Sequence, residues 1–321
     1  MQTRIISLAL TLCLLLTACG GREAEDSRGR ASLLAQAANI EEEETLLVVD
    51  GREVPAWRYL YWLAYLCDRM QRQYEQAELP LDWAATVSGG TLADYARDQA
   101  LADTVLYATV ENWAEEYGVT AETAGDTAGL PEEGLSEGQM AELERVGQLY
   151  AALYDLYCTP DSPLAPSEEE LCRFAEENGW LTVERILIPY GEDREAARDR
   201  AAEVFARING AEDQGAAFSE LAGEGGTLTL QTGDGTLSTS LEEAAAALET
   251  GQCSGILESE DGFTLLRRGE TNTEAAWEAH FDALLQMAAE RAEIAVTEAY
   301  RELDVPSFHN ALMRLREAEQ E

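Results

Sequence analysis

The sequence predicts an α+β protein: a mostly helical lobe, made of N- and C-terminal helices packed together, with an inserted β-α-α-β-β unit. Three observations predict it. Apolar residues recur every three to four positions from Pro55 to Gly179 and again after Thr273, the stretch between them alternates with period two in places, and Asp261-Gly262 near its end is a hairpin signal. The 321 residues are enough for one large domain or two ordinary ones.

The elements follow in order. Arg4 precedes an apolar run from Ile5 to Leu16, closed by Thr17-Ala18 directly before Cys19. That run is too short to span a bilayer and reads as a signal peptide over residues 1–18. Leu16-Thr17-Ala18-Cys19 resembles a bacterial lipobox, which implies that Cys19 is acylated, begins the mature chain and anchors it to the extracytoplasmic face of the cell membrane. An ordinary signal peptide cut nearby would leave Cys19 a plain thiol. Residues 19–44 are polar and end in Glu41-Glu42-Glu43-Glu44; with no apolar period they read as a flexible acidic tether.

The N-terminal part of the lobe spans residues 45–179. Leu46 to Val49 with Asp50-Gly51 predicts a short strand and a turn. Pro55 then opens a helix with Trp57, Leu60, Ala64, Cys67, Met70 and Tyr74 on one stripe. A second helix from Leu92 to Tyr117 ends at Gly118, and residues 119–135 form an acidic loop. Ser136 with Gln139 and Ser167 with Glu170 make capping boxes for two further helices, the second ending at Asn178-Gly179.

The inserted unit spans residues 180–270. Thr182 to Ile188 alternates and reads as a strand, Arg194 to Ile208 as a helix, Phe218 and Leu221 as a short helix, and Gly223 to Gly235 as a glycine-rich loop. Leu241 to Leu248 is an alanine-rich helix, followed by strands from Ser254 to Glu258 and from Phe263 to Arg268. Residues 271–321 return to helix: one from about Thr273 to Leu303 with Trp277, Phe281, Leu284 and Leu285 on its stripe, and a shorter one after Pro306.

Composition narrows the function. Asp and Glu number 62 against 22 Lys plus Arg, a formal charge of −40, and every one of those cations is Arg. Such a chain repels a phosphate backbone, so nucleic acid is not an expected partner. His280 and His309 are the only histidines, each without a ligand pattern around it. There is no C-x-x-C motif, so neither a metal nor any other cofactor is expected. Cys158 and Cys172 fit either a disulfide across the loop between them or free thiols, and the state of Cys67 and Cys253 stays open too.

The inserted unit resembles the parvulin-type peptidyl-prolyl isomerases, and the whole plan resembles the secreted foldase lipoproteins of the PrsA and SurA type. Four fragments carry the resemblance: Arg185-Ile186-Leu187-Ile188; Phe218-Ser219-Glu220-Leu221-Ala222; Ala245 through Leu248 and Gly251 to Ser254; and Gly262-Phe263-Thr264-Leu265-Leu266. Val48 to Val54 resembles the start of the chaperone lobe in these proteins. The resemblance implies an isomerase pocket for a proline ring beside two histidines. In this sequence those histidines fall on Arg185 and Thr264, so the catalytic pair is replaced. The pocket positions are Leu187, Leu241, Ala246 and Phe263, with aromatic residues lost at Leu241 and Ala246 and no counterpart of the usual Met.

The resemblance implies a membrane-tethered extracytoplasmic foldase or chaperone that assists secreted proteins, its partners being unfolded or nascent secreted polypeptides. A holdase without catalysis is the alternative. From another class, a solute-binding lipoprotein of a transporter shares the lipobox and the length but needs repeated β-α units. A homodimer through the helical lobe and a monomer both fit.

Overall fold

The computed structural model describes residues 32–320 apart from 88, 122–134, 224 and 272. The expected signal peptide, Cys13, the lipobox-like sequence with Cys19 and the first part of the expected tether lie outside the described residues, as does most of the expected acidic loop. The elements in chain order are α1 (Leu33–Ala38), β1 (Thr45–Val49), β2 (Arg52–Pro55), α2 (Ala56–Gln76), β3 (Thr86–Val87), β4 (Gly90–Thr91), α3 (Leu92–Glu116), α4 (Glu137–Cys158) and α5 (Glu168–Glu177). They continue with β5 (Trp180–Pro189), α6 (Arg194–Asn209), α7 (Gln214–Ala222), β6 (Thr227–Gln231), α8 (Thr239–Ala246), β7 (Leu257–Glu258) and β8 (Gly262–Arg268). After one 3-10 turn come α9 (Trp277–Arg291), β9 (Ile294–Val296), α10 (Glu298–Glu302) and α11 (Val305–Gln320). Among the described residues no helix is long and apolar enough to cross a membrane.

The chain divides into two compact units, one from residues up to Asp155 together with Leu284–Glu321, the other Leu156–Ala283. In the first, α2 is the central helix. Trp57, Tyr59, Leu60, Leu63 and Leu66 are all buried, and a helix apolar nearly all round must be surrounded by others. Its one deeply buried cation, Arg58, meets Glu111 of α3 at 2.5 Å and Glu142 of α4 at 3.2 Å, and Arg145 completes the group at 2.6 Å from Glu111. A buried guanidinium without such partners would cost several kcal/mol. Pro55 stands at the N-cap with φ −70°, so it precedes the first helical turn. Both expected capping boxes form: Gln139 N–H donates to Ser136 Oγ at 3.3 Å, and Glu170 N–H to Ser167 Oγ at 3.2 Å.

Two expectations for this unit change. The tether ends earlier than residue 44, because Ser32 caps α1 and Leu34 is buried in the core; a six-residue helix is too short to display a clear period in sequence. The expected helix from 273 to 303 stops at Arg291. Ile294–Val296 instead pairs antiparallel with β1, giving the sheet order β2-β1-β9, and the Asp50 carboxylate accepts the Glu293 N–H at 2.7 Å. The β-branched Ile294, Val296 and Thr297 favour that pairing.

The second unit holds a four-stranded antiparallel sheet, order β6-β5-β8-β7. The glycine-rich stretch expected to be loop contains β6, whose Thr-Leu-Thr-Leu alternation pairs Leu181 with Leu230 and Val183 with Leu228. The glycines on either side mask a strand of only five residues. Cys67, Cys158, Cys172 and Cys253 are free thiols.

Candidate functional site

Strand alternation sorts the side chains of the second unit's sheet onto two faces. On one, Ile186 and Ile188 of β5 and Phe263 and Leu265 of β8 pack with Ala197, Ala201 and Ile208 of α6 and Phe218 of α7. The ion pair on this face is complete, Glu184 accepting from Arg267 at 2.7 Å and from the Ser219 hydroxyl at 2.6 Å, while Thr182 Oγ1 and Arg267 Nε are buried without a partner. Tyr190 closes its end, edge-on to Phe263 at 5.2 Å and with the Arg194 guanidinium 4.6 Å above its ring.

The other face carries Leu181, Val183, Arg185 and Leu187 of β5 and Thr264, Leu266 and Arg268 of β8. Leu241 and Ala245 of α8, with Leu237, cover Leu181, Val183, Leu230 and Leu266. At the sheet's far end the cluster reaches Leu257 of β7 and leaves Leu187 exposed. There Leu187 pairs with Thr264, and Thr264 with Leu257 on β7, so three side chains form one row across three strands. Leu187 is 38% exposed, Thr264 only 1%, and the Thr264 hydroxyl has no hydrogen-bond partner. Arg185 sits two residues before Leu187 on the same face, opposite Leu266, its backbone N–H bound to the Gly226 carbonyl at 2.7 Å. Among the described residues its guanidinium has no carboxylate partner.

The two positions expected to replace the histidine pair, Arg185 and Thr264, thus share one face and lie on adjacent strands. Of the expected pocket residues, Leu187 joins them and Leu241 belongs to the covering helix as core. Ala246 is exposed at the C-terminal end of α8. Phe263 is a correction: one residue from Thr264, it points to the opposite face and is packed under α6 and Tyr190. A strand's period of two makes neighbours opposite in direction. Leu257, not singled out from the sequence, completes the row. It was obscured by the loop length: the Asp261-Gly262 signal suggests a two-residue turn, whereas Glu258 pairs with Phe263 across a four-residue connection.

The face contains no general acid or base that titrates near neutral pH, since neither histidine lies on this sheet. His280 is bonded at Nδ1 to the Tyr157 hydroxyl at 2.9 Å, and burial lowers its pKa despite Glu170 nearby. His309, in the other unit, is buried against Trp83. Among the described residues no group of His, Cys, Asp and Glu is arranged to hold a metal ion. What this face offers is an apolar row, a hydroxyl and a cation, a set suited to holding an extended peptide.

Residues 185–270 match the model of the Rotamase family, the PPIC-type PPIase domain. No curated protein matches the chain. Among solved structures it is similar to the foldase protein PrsA from Streptococcus pneumoniae, at 13% identity over 82% of this chain and 85% of that one, with a TM-score of 0.25. It is similar to the peptidylprolyl isomerase PrsA from Bacillus cereus at 17% identity, covering 74% and 92%, TM-score 0.24. A SurA-like chaperone of Campylobacter jejuni matches at 13% identity, covering 77% and 92%, TM-score 0.23. The family-model match, extending from Arg185 on β5 past the end of β8, identifies residues 185–270 as a parvulin-type, PPIC-type peptidyl-prolyl isomerase domain.

Proposed function

We propose that this chain is an extracytoplasmic foldase or chaperone, tethered to the membrane through Cys19, that binds unfolded secreted polypeptides at the open face of its PPIC-type domain. The observation that carries this reading is the family match over a domain whose sheet leaves Leu187 exposed and Arg185 half-buried, with Thr264 buried between the strands beside them. The lipobox-like sequence before Cys19 supports the tether and the location.

Isomerisation must lower a rotation barrier of about 18–20 kcal/mol. A domain of this type can do so by holding the proline ring in an apolar pocket and stabilising the twisted amide more than the planar one. In this chain Leu187 and Leu257 supply apolar surface, Arg185 supplies a hydrogen-bond donor for a carbonyl, and Thr264 supplies a hydroxyl. No side chain on the face exchanges a proton at neutral pH, so the chemistry open to it is binding and polarisation. The direct test is a cis/trans assay on short X-Pro peptides, run on the unaltered chain beside a variant carrying both Arg185→His and Thr264→His. The double variant is expected to be faster. Equal rates, with no suppression of client aggregation by the unaltered chain, would overturn the reading. Palmitate labelling that disappears in Cys19→Ala tests the tether.

A further inference from the structure

The unpartnered cation at the open end of the sheet gives the client site a charge preference. We propose that Arg185 selects client segments carrying a carboxylate within two residues of the one seated on Leu187. This inference rests on the proposed client site and specifies the peptide that site takes.

Three observations lead to it. First, Arg194, Arg207 and Arg267 of the same unit are ion-paired with Glu258, Glu220 and Glu184, whereas among the described residues the two arginines of this face, buried Arg268 and the half-buried Arg185, have no carboxylate partner. Arg185 is without such a partner even though the chain has 62 acidic residues. Second, its backbone is fixed. Paired to β8 on one side and bonded to Gly226 on the other, it cannot drift from the apolar row. Third, the spacing suits an extended chain. Two residues of strand place Arg185 about 7 Å along from Leu187, the distance between alternate side chains of an extended peptide.

The net charge of −40 works against an acidic client at long range but is screened beyond roughly 8 Å at physiological ionic strength. A charge-assisted contact at Arg185 is shorter than that, so local pairing decides the preference and the overall field lowers the encounter rate.

The test measures binding of dye-labelled prolyl peptides to the detergent-solubilised full chain by fluorescence anisotropy. The peptides differ at one position before the proline, which is Glu, Gln or Arg. The Glu peptide is expected to bind about threefold to tenfold more tightly than the Gln peptide at low salt. That ratio should fall towards one in Arg185→Gln and invert in favour of the Arg peptide in Arg185→Glu. Circular dichroism confirms that both variants are folded. Equal binding of Glu and Gln peptides to the unaltered chain, or a Glu preference that survives Arg185→Gln, would overturn the charge proposal while leaving the client site standing. Failure of all three peptides to bind would remove the client site itself, and the charge proposal with it.

Discussion

The two faces of the four-stranded sheet share the same strands and differ in almost everything else. The face under α6 and α7 is filled with aromatic and branched residues, and its charges are matched, Glu184 to Arg267. The face under α8 is built from leucines and exposes Leu187 beside an unmatched guanidinium and an unmatched hydroxyl. One face holds the domain together, and the other carries the exposed leucine beside a cation without an ion pair.

That contrast can be broken by mutation. The largest effect is expected from Phe218→Ala on the filled face, a loss of about 3–5 kcal/mol in urea unfolding of the second unit, because the side chain is fully buried and leaves a cavity. Leu187→Ala on the open face should cost about 1 kcal/mol or less while weakening peptide binding. Comparable losses at the two sites would mean the open face is as much core as the other. Next in size, Thr264→Val should raise stability by about 1 kcal/mol, since it removes a buried hydroxyl without a partner. A drop in melting temperature would instead reveal a bond to that oxygen.

The smallest effect is chemical. Burial pushes the Cys253 thiol above its ordinary pKa even with Arg267 nearby, so less thiolate is present at pH 8. Iodoacetamide should label Cys253 more slowly than a cysteine placed on the open face by Leu187→Cys. Equal rates would erase the difference in shielding between the faces.

Much of this was legible in the sequence where a single residue type forces a conformation. The two capping boxes, the helix after Pro55 and the long strand with Ile186 and Ile188 follow from local rules that tertiary packing did not override. Short elements were not legible: α1 and β9 are too brief to show a period, and the glycines around β6 hide its alternation. At the site, Arg185, Leu187 and Thr264 came from the motif fragments, whereas Phe263 was misassigned because a motif gives adjacency and not direction. Leu257 required the register across the β7–β8 connection.

That register has its own lock. Gly262 does not adopt a positive φ, so the turn does not require a glycine there; its role is spatial, because a Cβ would collide with the carbonyl oxygen of Ile188 and press on Pro189. The pairing of Pro189 with Gly262 therefore fixes where β8 begins against β5. A slip of β8 by one residue would turn Phe263 to the open face and Thr264 into the packed one. A chain that mispaired in this way would keep its strands, its composition and its spectrum of secondary structure, yet present its stuffing where its grip should be. In this domain a bare backbone position decides which side of the fabric is the working side.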